Sequence, residues 1–238
     1  MSEEAVKGDK WELYYHSFLN GRSAYIRLIF EELGIPYEDM IKSKEDTMKF
    51  FYSEEKLSNS GFPVLHPPVI KNGDFQLGQT AVICRYLAEK YGLVPDKVED
   101  KWHAEMLNTE IHDYIAQGRL VFHGKAHIAS YSTQQEETKP YIEWFAKERI
   151  PKFLQYFELV LKYNNGGKGF LFGSKLTYVD LAMYWALKAT EASFGEPWKN
   201  ADNCPLLKAF RDRIEQRPNI SAYLKSERFR PLENNSMM

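Results

Sequence analysis

The chain has 238 residues, enough for one large domain or two small ones with cores of their own. Apolar residues make up 44% and charged residues 27%, as in an ordinary globular protein. The net charge of -2 provides no overall attraction to nucleic acid or to an anionic membrane, and composition therefore argues against both partners.

The N-terminus, the lengths of the apolar runs and the cysteines lead us to expect a cytoplasmic protein. The N-terminus is polar and acidic, unlike a secretory signal, and no apolar run is long enough to cross a bilayer. Cys84 and Cys204 lie far apart and form no metal-ligand or disulfide pattern, so we expect two small buried hydrophobic side chains in a reducing compartment.

The first ninety residues alternate between strand and helix patterns. The predicted elements, in chain order, are strand 11–16, helix 22–33, strand 37–41, a possible helix at 47–55, strands 69–71 and 75–77, and helix 80–91. Asn72-Gly73 is a strong hairpin signal between the last two strands. The order β-α-β-(α)-β-β-α indicates an α/β domain at 10–92.

Beyond this region we find only helical patterns, which predict an all-α domain at 99–230. The predicted helices cover 101–128, 140–163, 177–193, 205–216 and 219–224. The clearest start lies at Thr177, where Asp180 completes a capping box and Leu176 with Leu181 forms a hydrophobic staple. We interpret Thr177 and Asp180 as stabilising residues without a catalytic role.

Tyr14, Tyr15 and His16 end the first strand and form the first candidate for chemistry. A tyrosine hydroxyl there could donate to a bound thiolate, and a hydrogen bond to the charged form lowers the pKa of a thiol. The residues alone favour a simpler interpretation, in which two aromatic side chains fill the two faces of a strand.

Two further segments could hold a ligand. Pro67-Pro68 precedes a strand, and a cis X-Pro bond there would expose backbone groups to a peptide-like ligand; a rigid loop is about equally compatible with the residues. Gln79-Thr80 begins a helix, where side-chain and backbone donors favour a carboxylate, although a simple Thr80 N-cap is the favoured alternative. The histidines, glycines and serines show no metal site, phosphate loop or nucleophile elbow.

Taken together, five segments in this order resemble the cytosolic glutathione S-transferase family, over roughly residues 11–224. They are WELYYH, NGRSAYIRLIFEELGIPYED, PPVIKNGD, LGQTAVICRYLAEKYGL and LTYVDLAMYWAL. The resemblance is to the tyrosine type, closest to sigma-like or fungal and bacterial relatives. It implies an α/β thioredoxin-like N-terminal domain that holds glutathione, followed by an all-helical domain that holds the second substrate.

The resemblance also implies roles for individual residues. Tyr15 takes the position of the tyrosine that donates to the glutathione sulfur, and Pro68 that of the family's cis-proline, with the Pro67 carbonyl facing the cysteinyl amide. Gln79 and Thr80 match the pair that binds the γ-glutamyl end, and Asp113 an acidic residue that reaches across a dimer. The stretch from Lys42 to Leu65 lacks the family's usual Trp and Lys pattern, so the resemblance leaves the group that holds the glycine carboxylate open, with Lys49 as our candidate. An electrophile pocket is expected from His16, Phe18, Tyr114, Arg119 and Phe229.

The resemblance leaves three functions open. The first is addition of the glutathione thiolate to small hydrophobic electrophiles, a detoxification reaction, with glutathione as co-substrate and no metal. The second is a glutathione-dependent isomerase or peroxidase at the same site. The third is a non-catalytic binding or structural protein on the same fold. We expect a homodimer, with the helices at 80–91 and 101–128 in its interface and Phe50, Phe51 and Tyr52 inserted between the subunits.

Overall fold

A computed structural model describes residues 10–17, 19–52, 62–126, 129–230, 232 and 236–237. The chain forms two compact units. The first comprises the described residues up to Leu93 together with those from Pro218 to Arg230, and the second comprises Val94–Arg217 with Leu232, Ser236 and Met237. In this division the segment from Pro218 to Arg230 groups with the first unit, whereas the sequence pattern predicted it as part of the helical domain.

The elements follow the predicted order. The α/β part contains β1 (Trp11–Tyr14), α1 (Ala24–Leu33), β2 (Tyr37–Asp39), α2 (Lys44–Tyr52), β3 (Val69–Asn72), β4 (Phe75–Gly78) and α3 (Thr80–Tyr91). The helices that follow are α4 (Val98–Phe122), α5 (Gln135–Trp144), α6 (Ile150–Tyr163), α7 (Tyr178–Ser193), α8 (Gly195–Lys199), α9 (Pro205–Glu215) and α10 (Pro218–Leu224). A π-helical segment, Phe145–Arg149, joins α5 to α6.

The first unit is built on a four-stranded mixed sheet with the strand order β2-β1-β3-β4. The β1 and β2 strands are parallel and are connected through α1, whereas β3 is antiparallel to both β1 and β4. The Asn72-Gly73 signal is confirmed, since β3 and β4 form a hairpin in which Asn72 pairs with Phe75. This is the thioredoxin-like arrangement expected for the N-terminal half.

Helices cover both faces of this sheet. On one face the Trp11 ring lies 6.0 Å from Phe30 of α1 and 6.2 Å from Tyr86 of α3. On the other face Tyr14 stacks on Phe50 of α2 at 4.2 Å, and Phe51 is buried in the same cluster. Phe51 is buried against its own sheet and is therefore not available to insert between subunits, whereas the insertion of Phe50 and Tyr52 stays a prediction.

The second unit contains helices and no strand within its described residues, as predicted for the C-terminal half. Its clearest sequence signal is confirmed at the start of α7, where the Thr177 backbone N–H and hydroxyl both donate to the Asp180 carboxylate at 2.7 Å. The other carboxylate oxygen accepts from the Leu171 backbone at 2.7 Å. Asp180 is fully buried, so this one side chain ties the preceding loop to the helix.

Three further findings concern the helices and cysteines. None of the helices within the described residues combines the length and apolar character that spanning a bilayer requires. Cys84 and Cys204 are free and buried, as expected from their surroundings in the sequence. The α5 and α8 helices begin where the sequence pattern indicated no helix.

Candidate active site

The sheet register brings the three candidate segments to one end of the first unit. Tyr14 at the end of β1 pairs with Val69, and Val69 pairs with Gly78 at the end of β4. Tyr15, Pro68 and Gln79 each adjoin a residue of this row. Tyr15 therefore meets two segments that lie more than fifty residues further along the sequence, and all three adjoin one edge that a single ligand can contact.

Tyr15 lies one residue beyond β1, so the strand is shorter than predicted. Its side chain is only 5% exposed, and its hydroxyl accepts a hydrogen bond from the Arg22 backbone N–H at 3.1 Å. This bond uses a lone pair of the oxygen, and a hydroxyl that accepts from an N–H becomes a better hydrogen-bond donor. The loop before α1 thus fixes the position of the hydroxyl and increases its polarity.

Gly21 lets this loop approach the tyrosine. Its φ of +42° is a conformation that suits glycine, and a Cβ at this position would overlap the Tyr15 hydroxyl and lie 3.0 Å from the ring carbons Cε1 and Cζ. Any larger residue would displace the ring or the loop. Gly21 and Arg22 could not be recognised as site residues from the sequence, because they act through a close backbone approach and a backbone N–H and not through a side chain.

Buried Arg27 holds the same loop from the helix side. Its guanidinium donates to the Ser23 hydroxyl at 2.7 Å and to the Asn20 side chain at 3.3 Å, and it forms an ion pair with Asp39 at 2.6 Å. Asn20 and Ser23 flank the Gly21-Arg22 pair. The loop that contacts Tyr15 is therefore fixed at both ends by one cation.

Tyr14 lies in different surroundings from its neighbour. Its hydroxyl donates to the Glu12 carboxylate at 2.7 Å, and burial, followed by this bond to Glu12, raises its pKa well above the ordinary value. Since its ring stacks on Phe50, Tyr14 faces α2, on the opposite side from Tyr15. The expected alternation of the two tyrosines is confirmed.

The remaining segments of this edge carry two backbone features. The Pro67–Pro68 peptide bond is cis, as the resemblance implies for Pro68. Gln79 has φ +69° and ψ 110°, a conformation that residues other than glycine rarely adopt. Such strain persists only where the surrounding structure imposes it, and it is concentrated at functional sites.

Thr80 is the first residue of α3 and not its N-cap, which corrects the simplest interpretation of the sequence. The cap position belongs to Gln79, whose side chain makes no capping bond. The Thr80 side chain is buried, and its hydroxyl has no hydrogen-bond partner. A buried hydroxyl without a partner is costly, and at a helix N-terminus it adds to a positive dipole end that attracts an anion.

The residues expected to line the electrophile pocket lie in different surroundings. His16 is half-buried with its ring 5.0 Å from that of Tyr15, and burial lowers its pKa, so it is neutral at pH 7. Phe229 packs edge-on against Tyr223 at 5.6 Å, and Arg119 is half-buried on α4. Phe18 lies outside the described residues.

Tyr114 requires a correction. Its ring is 1% exposed and packs against Phe145 and Phe153 inside the helical unit, and its hydroxyl is hydrogen-bonded to Thr190 at 2.7 Å. These contacts satisfy both its apolar and polar surfaces. Tyr114 is a core residue of the second unit, and it does not line a pocket.

Lys49 and Asp113 lie on exposed helix surfaces. Lys49 is in the last turn of α2 and Asp113 is in the middle of α4. Arg230, which the sequence did not identify, lies beside the candidate site: its guanidinium donates to the His16 carbonyl at 3.4 Å, and its own carbonyl accepts from Asn20. Within the described parts of the chain, no three histidine, cysteine or acidic side chains are placed to share a metal ion.

Comparison with known proteins identifies the family. Residues 121–227 match the family model described as the glutathione S-transferase C-terminal domain. The glutathione S-transferase of Plasmodium falciparum is 31% identical over 226 residues, covering 93% of this chain and 98% of that protein. Glutathione S-transferase Mu 1 of Bos taurus is 33% identical, with 90% of each chain covered.

A solved structure supports the same fold. The Pi-class glutathione S-transferase of Onchocerca volvulus superposes with a TM-score of 0.71 at 23% identity, covering 90% of this chain and 92% of that one. The sheet, the helices and the sequence similarity over nearly the whole length agree. The chain therefore belongs to the glutathione S-transferase family and is a glutathione transferase.

Proposed function

We propose that the chain adds the glutathione thiolate to small hydrophobic electrophiles and that the Tyr15 hydroxyl stabilises the thiolate. The observation that supports this proposal is a buried Tyr15 hydroxyl that accepts from the Arg22 backbone, on a residue that adjoins the same row of the sheet as Pro68 and Gln79. A free thiol with a pKa near 8.5 is mostly protonated at neutral pH. A donor held toward the sulfur favours the ionised form and increases the reactive fraction.

The remaining contacts hold the tripeptide. Thr80 and Gln79 bind the carboxylate of the γ-glutamyl end, where the dipole of α3 and the unpartnered Thr80 hydroxyl both favour an anion. The Pro67 carbonyl accepts from the cysteinyl amide; as a proline, this residue has no N–H to donate in return. Lys49 holds the glycine carboxylate, and Asp113 of a second subunit contacts the γ-glutamyl amine.

The electrophile occupies the apolar side of the sulfur. His16 and Phe229 are half-buried residues of the first unit, and Phe18 and Arg119 complete the proposed set. Because His16 is neutral, it can contact an apolar substrate without a charge to desolvate. Tyr114 is no longer part of this set. We further propose that the enzyme acts in the cytoplasm as a homodimer.

Two tyrosine substitutions test the proposal. Tyr15→Phe removes the donor and keeps the ring. Turnover of 1-chloro-2,4-dinitrobenzene with glutathione should fall roughly ten- to a hundred-fold, which corresponds to the free energy of one hydrogen bond to a charged group. The KM for glutathione should change less, because most contacts to the tripeptide remain. The pH profile of kcat should shift to higher pH.

Tyr14→Phe is the matched control, because it removes the same atom from the neighbouring residue and leaves the sulfur contact intact. It should retain turnover. Full activity in Tyr15→Phe combined with a loss in Tyr14→Phe would mean that the other tyrosine is the donor. If neither substitution matters, the Ser17 hydroxyl or another donor acts on the sulfur. Assays of isomerisation and of peroxide reduction on the same proteins test the two alternative reactions.

A further inference from the structure

Met237 is held in the second unit in an unusual way. Its side chain is completely buried, whereas Leu232 and Ser236 are only half-buried. Its backbone N–H donates to the Ser193 hydroxyl at 3.1 Å. Its φ of +56° lies in the left-handed region, which is unfavourable for a methionine. A buried side chain and one polar contact thus hold a strained residue in place.

The side chain lies in a gap between two helices that touch on either side of it. Tyr114 of α4 is hydrogen-bonded to Thr190 of α7 at 2.7 Å, and Phe122 at the end of α4 lies 5.3 Å from Phe194, directly after α7. Gly118 is one helical turn from both Tyr114 and Phe122, and so lies midway between the two contacts. Ser193 is the last residue of α7, one turn after Thr190 and directly before Phe194.

Gly118 creates the space in this gap. A Cβ on Gly118 would overlap the Met237 sulfur and lie 3.3 Å from its Cγ and 3.4 Å from its Cε. The absence of a side chain therefore leaves a slot the width of one unbranched chain, and methionine is the residue that adapts best to such an irregular space. The Ser193 hydroxyl supplies one polar group at the same slot.

We propose that this slot, defined by Gly118, Ser193 and Met237, binds an unbranched alkyl or thioether chain that ends in one polar group, and that Met237 is its displaceable occupant. Displacement releases the left-handed backbone strain, exposes one side chain and breaks one hydrogen bond. The ligand replaces both contacts: its chain fills the space beside Gly118 and its polar end bonds to Ser193. Ligand binding and the seated Met237 therefore exclude each other.

Methyl NMR of the full chain tests this competition directly. With the methionine methyl groups labelled with carbon-13, Met237→Leu identifies the Met237 signal among the seven methionines. Hexan-1-ol, an unbranched chain with one hydroxyl, should move the Met237 signal toward the position of a solvent-exposed methionine. Cyclohexanol, which is too broad for the slot, should leave the signal in place at the same concentration.

Two substitutions provide the matched tests. Met237→Ala empties the slot. Hexan-1-ol should then bind roughly tenfold more tightly, because no fraction of the molecules has the slot closed by the methionine side chain. Gly118→Ala added to Met237→Ala refills the slot and should abolish that gain. Gly118→Ala alone should move the Met237 methyl signal without any ligand.

The proposal fails if saturating hexan-1-ol leaves the Met237 signal of the unmodified chain unmoved, a measurement that needs no variant to fold. It also fails if Met237→Ala lowers the stability without any gain in hexan-1-ol affinity, because Met237 is then an ordinary core residue. Neither result bears on Tyr15, which belongs to the other unit.

Discussion

Tyr14 and Tyr15 are adjacent in the chain, yet their hydroxyls are committed to different tasks. Tyr14 donates to Glu12 on the α2 side of the sheet, whereas Tyr15 accepts from the Arg22 backbone beside Gly21. The alternation of a strand separates the two side chains, and the loop before α1 then positions only the second. Residue identity alone does not distinguish two tyrosines; their partners do.

Thr80 provides a test at the residue scale that separates binding from stability. Its hydroxyl is buried without a partner, so Thr80→Val, which keeps the shape and removes the oxygen, should leave the free energy of unfolding unchanged or raise it. If the hydroxyl binds the γ-glutamyl carboxylate, the Kd of glutathione should rise roughly tenfold or more, since bonds to charged groups contribute about 1.5–3 kcal/mol. Urea unfolding and calorimetric titration measure the two quantities.

Thr80→Ser is the control, because it keeps the hydroxyl and loses only a methyl group. It should bind glutathione nearly as well as the unmodified chain. A Thr80→Val protein with unchanged affinity for glutathione would remove Thr80 from the proposed site.

At the scale of single elements, the start of α7 depends on Asp180. Thr177→Ala should lower the free energy of unfolding by about 1 kcal/mol, the usual contribution of an N-cap. Asp180→Ala should lower it further, because the Thr177 and Leu171 donors then remain buried without an acceptor. Chemical denaturation of both variants gives the comparison, and turnover per folded molecule should be unchanged in each.

The pH dependence of the Asp180 contribution has a definite sign. Burial raises the pKa of Asp180 from 3.8 to about 6, although its hydrogen bonds from Thr177 and Leu171 act in the opposite direction. Between about pH 4 and 6 the folded chain keeps a proton that the unfolded chain releases, so the stabilisation by Asp180 decreases as pH rises through this range. The stability difference between the unmodified chain and Asp180→Ala should therefore shrink from pH 4 to pH 6. A difference that grows over this range contradicts the assignment.

The elements that the sequence predicted well are those with local signals. The hairpin follows from Asn72-Gly73, the start of α7 from Thr177 and Asp180, and the span of α3 from its apolar spacing and the following Gly92, which has φ +74°. The α5 and α8 helices carry no such end signals, and packing within the helical unit determines them instead. The sequence also placed Tyr15, Pro68, Gln79 and Thr80 at element ends, where the sheet register then joins them.

The errors in the site come from long-range packing. An aromatic residue such as Tyr114 can line an apolar pocket, but in this chain Tyr114 is enclosed by Phe145, Phe153 and Thr190, which are distant in the sequence. Phe51 of α2 turned inward for the same reason. Gly21 acts through the lack of a side chain and Arg22 through its backbone N–H. Neither feature produces a pattern that can be recognised in a sequence.

At the scale of the whole molecule, the chain returns to its first unit after the helical one. The α10 helix belongs to the first unit and packs against α1. Asn219 donates to the Glu32 carbonyl at 2.8 Å, and Arg228 pairs with Glu31 at 2.6 Å. The sequence did not predict this grouping, because these contacts have no local signature. The return also places Arg230 beside the loop that holds Tyr15.

The assembly of two molecules remains a prediction. Exposed apolar side chains lie on both helices expected in the interface: Val82 on α3, and Trp102 with Met106 one turn apart on α4. Large exposed apolar side chains on adjacent turns favour association. Sedimentation at micromolar concentration should give twice the chain mass of 27.9 kDa, and Trp102→Arg should shift the protein toward the monomer. A monomeric unmodified chain at that concentration contradicts the prediction.

The central claim is that Tyr15 lowers the pKa of the glutathione thiol, and the ionisation of that thiol in the bound state tests it most directly. The thiolate absorbs in the near ultraviolet, so difference spectra of the glutathione complex can be titrated with pH for the unmodified chain, Tyr15→Phe and Tyr14→Phe. We predict that the bound thiol of the unmodified chain and of Tyr14→Phe ionises well below the value of about 8.5 for a free thiol. In Tyr15→Phe its pKa should rise by about one to two units, as expected for the loss of one hydrogen bond to a charged group. An identical titration in Tyr15→Phe and the unmodified chain would contradict the account.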